Sequence, residues 1–510
     1  MTRAATRRTE GNGRRARRLR WQLAVATAAA ALVFTALPGA SAGVLSDSLP
    51  GLPADVAAAL APADALLEPP VGAPTLPANP TSALVDALKG LASDMGTPRD
   101  PAGAVLKAAL SPETAGYLAL VATDVLACER ITKAHYAAIP PSVLANAARE
   151  YGKGLNPSDF NDIRSCALKL RKSVYDLESV LARTVLPLTA DIDLWPVLRL
   201  SRGTVNNVYL NDYAITIDTG GDDTYVNNAG GNMIDLNFGP AGQPGLKGEG
   251  PAKGCQGAIP ALLAADCTPV AGVLLDMGGN DRYGVKQTPD VDKVCTADPV
   301  IRRMVTNGAG FLGASILVDR GGNDVYSGKT GANGAGHVFG VGMLFDEGGN
   351  DTYLAVRNST GFALVGGIGV FRDFGGDDVY DYYMPAPLDP NAPNQTNGAG
   401  GVIDDEGVCD NLPRYDVGGA NVAGVGVAVD DAGNDRYRGG FTPDFLAPAP
   451  APGRGGSLGF GNNQGTGVLL DRAGADSYTI VGDQGSPTRG NGVTIPPNSE
   501  STGTGAFRYA

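Results

Sequence analysis

The sequence predicts a mainly β solenoid, parallel β-helix-like with 27-residue coils, preceded by a small all-α domain. The first observation behind this is a recurring motif. It reads ITIDTGGDDTY from Ile215, VLLDMGGNDRY from Val273, ILVDRGGNDVY from Ile316, MLFDEGGNDTY from Met343 and VFRDFGGDDVY from Val370. Looser copies are VAVDDAGNDRY from Val427 and VLLDRAGADSY from Val468, and a degenerate one, GVIDDEGVCD, begins at Gly401. In seven copies an Asp ends an apolar triplet, a second Asp follows five residues later, and a Tyr stands two beyond that.

The second observation is the period. The leading residues Asp218, Asp276, Asp319, Asp346, Asp373, Asp404, Asp430 and Asp471 are separated by 58, 43, 27, 27, 31, 26 and 41 residues. The base unit is therefore 27 residues, lengthened by insertions. A unit such as Asp319–Phe345 has no room for a long helix. It holds short apolar strands and Gly-Asn-Asp corners, where Gly takes positive φ freely and Asn and Asp form Asx-turns. Short strands joined by such corners at a fixed period read as solenoid coils. A β-propeller blade needs about 40–45 residues and is too long for this unit.

Taken in order, residues 1–42 carry eight Arg before residue 21, then the apolar stretch Leu23–Leu37, then Ala40-Ser41-Ala42. That is the pattern of a secretory signal peptide, and it places the protein outside the cell, secreted or cell-wall associated. No later stretch is long and apolar enough to span a bilayer. Residues 43–81 are Pro/Ala-rich and read as a flexible linker. In residues 82–186 Gly thins out and apolar residues recur at helical spacing. The expected helices are Ser82–Met95, Ala102–Leu110, Pro112–Ala138, Ser142–Tyr151 and Pro157–Val185, with Ser111-Pro112 and Asn156-Pro157 as start signals. Residues 192–484 form the repeat domain, with this helical domain as a spacer or as the cap of its first coil. Residues 485–510 read as a flexible tail. Insertions at Gly239–Pro269, Lys286–Val305, Met384–Asn397 and Phe441–Gly455 fall between repeats, where solenoid loops gather and bind.

Six cysteines in an exported chain imply disulfides; the expected pairing is Cys128 with Cys166, Cys255 with Cys267 and Cys295 with Cys409. Removing residues 1–42 takes away eight Arg and Glu10, so the formal charge moves from −13 to −20. An acidic chain repels nucleic acid and anionic membrane and suits cations or a basic partner.

The repeated carboxylates are the candidate site. If coils stack in register, Asp218, Asp276, Asp319, Asp346, Asp373 and Asp430 form one column. Asp223, Asp281, Asp324, Asp351, Asp378, Asp435 and Asp476 form another. Stacked carboxylates repel, and calcium, which takes 6–8 oxygen ligands, would relieve that. The competing reading is that each Asp serves its own turn as an Asx-turn acceptor. The turns Gly322-Asn323-Asp324-Val325-Tyr326, Gly279-Asn280-Asp281, Gly349-Asn350-Asp351 and Gly433-Asn434-Asp435 resemble the calcium-binding nonapeptide repeat of RTX proteins, although here the motif occurs once per coil and not every nine residues. That resemblance implies calcium between coils, held by backbone carbonyls and by Asp223, Asp281, Asp324, Asp351, Asp378, Asp435 and Asp476.

The tyrosine column (Tyr225, Tyr283, Tyr326, Tyr353, Tyr380, Tyr437, Tyr478) reads either as packing or as a stacking platform for sugars. Arg372, in an apolar triplet, is expected to mark a side that reaches solvent. No H-E-x-x-H or P-loop is present, and no catalytic residue can be assigned. The expected function is a non-catalytic, calcium-stabilised surface protein with a glycan or cell-surface protein as partner. The alternatives are a polysaccharide lyase or hydrolase on a β-helix and a purely structural solenoid without metal.

Overall fold

The computed structural model describes residues 43–49, 52–97, 99–138, 160–235, 267–269, 271–284, 305–382, 417–421, 423–440, 458–459, 461–462, 465–481, 499–502 and 505–509. It has a small helical N-terminal region and large, mostly parallel sheets. The helices are Val44–Ser48, Ala54–Leu67, Pro80–Asp94, Ala102–Ala108, Pro112–Ala138 and Asn161–Leu181. Ser111 caps the long one by accepting the Thr114 N–H at 3.0 Å. Cys128 and Cys166 join it to Asn161–Leu181, with their Cα atoms 5.6 Å apart. Cys255, Cys295 and Cys409, and the helix expected at 142–151, lie outside the described residues, as do residues 1–42. No helix among the described residues is long and apolar enough to cross a membrane.

Each repeat sends one strand to each of three sheets in turn. Ala314–Asp319 belongs to a ten-stranded sheet, Val325–Thr330 to a nine-stranded sheet and Gly336–His337 to a five-stranded one. The chain then returns to the first sheet as Val341–Asp346, which pairs in parallel with Ala314–Asp319 from Ala314↔Val341 to Asp319↔Asp346. The period of 27 is thus the path length once through the three sheets. Insertions leave the register intact: Ile368–Asp373 pairs directly with Val425–Asp430, and Asp373 sits opposite Asp430. Asp404 lies outside the described residues.

Both faces of the ten-stranded sheet are covered, which explains the unbroken apolar triplets. Leu274, Leu317, Leu344, Phe371 and Leu469 point to one side and pack with the buried tyrosines. Their neighbours Val273, Leu275, Ile316, Val318, Met343 and Phe345 point the other way and pack with Leu170, Val174 and Leu177 of Asn161–Leu181. The helical region therefore lies along a sheet face, whereas a spacer or end cap was one expectation. Arg171 of that helix is buried, its guanidinium 4.0 Å from the centre of the Phe345 ring.

Two expectations are corrected here. Residues 43–81 are more than linker: Val56, Leu60, Ala63, Leu66 and Leu67 of Ala54–Leu67 are buried in the same core. Their helical spacing is visible in the sequence, but the flanking prolines mask it. Arg372 does not mark a solvent side. It is buried, donating to the Leu67 carbonyl at 3.0 Å and to Asp431 at 2.8 Å, so a helix end covers it.

The second glycine of each corner is required by close approach. A Cβ on Gly322 would collide with the Gly279 carbonyl, one on Gly349 with Gly322, and one on Gly376 with Gly349. That second Gly is present in all seven copies, while the first is replaced by Ala432 and Ala473 in the last two. Gly322→Ala is expected to destabilise the fold by about 3 kcal/mol or more, because the obstacle is backbone and cannot rotate away. Denaturant midpoints of the variant and the parent check this.

Candidate metal centre

The site is built at the corner between the ten- and nine-stranded sheets. The leading aspartates end their strands and stand opposite one another: Asp218↔Asp276, Asp276↔Asp319, Asp319↔Asp346, Asp346↔Asp373, Asp373↔Asp430 and Asp430↔Asp471. None is more than 1% exposed. In Asp218, Asp276, Asp319, Asp346 and Asp373, Oδ1 accepts the N–H of the glycine two residues on, at 2.9–3.1 Å. This is the expected Asx-turn, and it uses only one oxygen.

The other oxygen meets tyrosine. Tyr283 Oη lies 2.6 Å from Asp319 Oδ2 and 3.2 Å from Asp276 Oδ2, and Tyr353 Oη lies 2.8 Å from Asp346 Oδ2 and 2.7 Å from Asp373 Oδ2. A phenol has one proton, so each bridging tyrosine can donate to only one of its two carboxylates at a time. The rings of Tyr209, Tyr225, Tyr283, Tyr326, Tyr353, Tyr380 and Tyr437 stack with centroids 4.5–4.9 Å apart. From Tyr225 to Tyr437 they are at most 1% exposed, so the sugar-platform reading of this column does not stand. Tyr209 heads the stack, its phenol donating to Asp218. No GG-N-D corner precedes Tyr209 in the sequence, and only the Val208-Tyr209 pair marks it as a member of the column.

The second aspartates form the other column, each at most 1% exposed. Here Oδ1 accepts the backbone N–H of the second aspartate one repeat earlier. The Asp281 N–H reaches Asp324 at 2.5 Å, Asp324 reaches Asp351 at 2.6 Å, Asp351 reaches Asp378 at 2.6 Å and Asp378 reaches Asp435 at 2.8 Å. Oδ2 of Asp223, Asp281, Asp324, Asp351, Asp378, Asp435 and Asp476 is buried and meets no donor. Its neighbours are other carboxylates. Asp281, Asp319 and Asp324 bring one oxygen each within 4.8 Å of the others, and so do the sets Asp223/Asp276/Asp281, Asp324/Asp346/Asp351, Asp351/Asp373/Asp378 and Asp378/Asp430/Asp435. Two unit charges 4.8 Å apart repel by about 3.5 kcal/mol at an effective dielectric of about 20.

These clusters of buried aspartate could hold a metal ion. Burial raises the aspartates of both columns, by amounts that vary along each: Asp276 of the first column rises to about 8 and Asp373 well above its ordinary value, and Asp378 of the second rises to about 7. Burial raises Asp319 and Asp346 only to about 6, because Gly N–H groups and phenols support their charge. Burial, then the neighbouring first-column aspartates, push Asp281 up to about 10, Asp324 to about 11 and Asp351 to about 9. A carboxyl whose folded value lies above its unfolded value contributes stability at low pH and loses it as pH rises through the folded value. With chelator present, stability is therefore expected to fall from about pH 4 toward about pH 9–11. Denaturant midpoints at pH 5, 7 and 9 check the sign; a rise with pH in chelator would contradict it.

Comparison with protein-family models, with curated proteins and with solved structures finds no match. The functional reading therefore rests on the geometry.

Proposed function

We propose that this protein is an exported, non-catalytic β-solenoid, its coils held together by calcium ions, that serves as a rigid scaffold for contacts at the cell surface. In this reading the three parallel sheets are the faces of one solenoid. The supporting observation is the column of buried Asp Oδ2 atoms without donors, gathered in threes with the first-column carboxylates. Buried carboxylates need either protons or a cation. An all-oxygen set favours calcium, magnesium or manganese over softer metals. Magnesium keeps several waters, whereas calcium accepts irregular sets of 6–8 oxygens and suits a ladder closed to solvent. Each coil brings two aspartates, and one divalent ion per coil neutralises them. Asp281, Asp319 and Asp324 would hold one such ion, and the other sets would hold the rest.

The same burial argues against using these carboxylates for glycoside hydrolysis, which needs a carboxyl pair facing a substrate. The Arg-rich leader and the acidic remainder support export, into a compartment where calcium sites of about 10⁻⁴–10⁻³ M affinity fill. Partners of the glycan or cell-surface protein class would meet the insertions between repeats. The test is elemental analysis after dialysis against calcium or chelator. Retention of about one calcium per coil is expected, and a calcium-dialysed sample free of metal would sink the reading.

A further inference from the structure

The end of the repeat array carries a device of its own. The last coil runs through the ten-stranded sheet as Thr466–Asp471 and through the nine-stranded sheet as Ala475–Val481. From Ile215–Asp218 onward, successive coils pair in parallel in both sheets. The next strands reverse this. Ser499–Thr502 lies antiparallel on the second strand, with Thr502 opposite Ala475 and Ser499 opposite Tyr478. Gly505–Tyr509 lies antiparallel on the first, with Gly505 opposite Asp471 and Tyr509 opposite Gly467. The segment retraces the last coil backwards, strand for strand. Opposite Asp471, Asp476 and Tyr478 it places Gly505, Ser501 and Ser499, so neither the carboxylate columns nor the tyrosine column continues.

We propose that Ser499–Tyr509 is a plug over the last coil, and that the surface it covers fits a second copy of this chain. An open strand edge is a template for another strand, and here two edges would be open together. The direction of the plug identifies the partner. It arrives along Ala475–Val481 and leaves along Thr466–Asp471, antiparallel to both. A second copy rotated about a two-fold axis through the Arg472–Gly474 corner takes the same path. Its Thr466–Asp471 would lie on Ala475–Val481, and its Ala475–Val481 on Thr466–Asp471, both antiparallel. Such a contact is self-complementary and closes as a dimer. At the other end of the ten-stranded sheet, Ile192–Leu194 already lies antiparallel on Leu198–Leu200, so head-to-tail growth through that sheet is blocked. The inference rests on strand pairing and not on calcium.

The experiment compares the full chain with a variant ending at residue 484, by light scattering on a sizing column, with calcium and with chelator. The full chain is expected at monomer mass and the shortened one at twice its own monomer mass. A synthetic peptide of residues 497–510 is expected to return the shortened chain to monomer. Ala506→Pro combined with Ser501→Pro in the full chain, which removes plug N–H groups without shortening anything, is expected to dimerise as well. A shortened chain that stays monomeric, a full chain already dimeric, or an aggregate that the peptide does not dissolve would each overturn the proposal.

Discussion

Calcium at one hundred times its dissociation constant is expected to raise the unfolding free energy by about 2.7 kcal/mol for each site that only the folded chain offers. For a unit of this size that corresponds to roughly 5–10 °C in the midpoint per site. Asp281, Asp324, Asp351 and Asp378 each belong to two clusters, so the sites fill as a connected file and the total shift exceeds that of one site. The measurement is thermal unfolding by circular dichroism, in chelator and through a calcium titration. Magnesium at equal concentration is expected to do less, because it gives up its waters reluctantly. An unmoved midpoint would mean that protons, and no cation, neutralise the columns.

Asp324→Asn separates those two states by the sign of its effect. In chelator the amide keeps an oxygen for the Asp281 N–H, now made by Asp324 at 2.5 Å, and brings N–H donors to a place where buried oxygens have none. The variant is therefore expected to be more stable than the parent by about 1–3 kcal/mol in chelator. In calcium it loses a charged ligand from two clusters, Asp281/Asp319/Asp324 and Asp324/Asp346/Asp351. The expected loss is about 5 kcal/mol at one hundred times the dissociation constant. If Asp324 only accepts the Asp281 N–H, the substitution will act in the same direction in both buffers. Parallel denaturant titrations of the parent and Asp324→Asn decide it.

The columns were legible in the sequence because sheet register ignores insertion length. Asp319, Asp346 and Asp373 follow one another at the bare period, and Asp430 takes its place despite a gap of 57 residues. The Cys128–Cys166 bridge was legible too, since both residues lie on expected helices of one small domain. The helix over Ala54–Leu67 was hidden by its prolines, and Tyr209 by the lack of a motif before it.

By itself the sequence determined which residues share a column: a motif at a fixed period, with Asp, Asp and Tyr at constant offsets, fixes neighbours once strands stack in parallel. That the second corner glycine cannot be replaced by a larger residue appears only in space, where a Cβ would meet the preceding repeat's carbonyl. Only the tertiary structure decided which way the columns face. Alternation along a strand says which residues share a side, not what covers that side. Here helices cover one face of the ten-stranded sheet and the tyrosine stack covers the other. That double burial makes Arg372 an interface residue, takes the tyrosines away from any sugar, and leaves Oδ2 of the second aspartates without a donor, so that they need a proton or a metal ion.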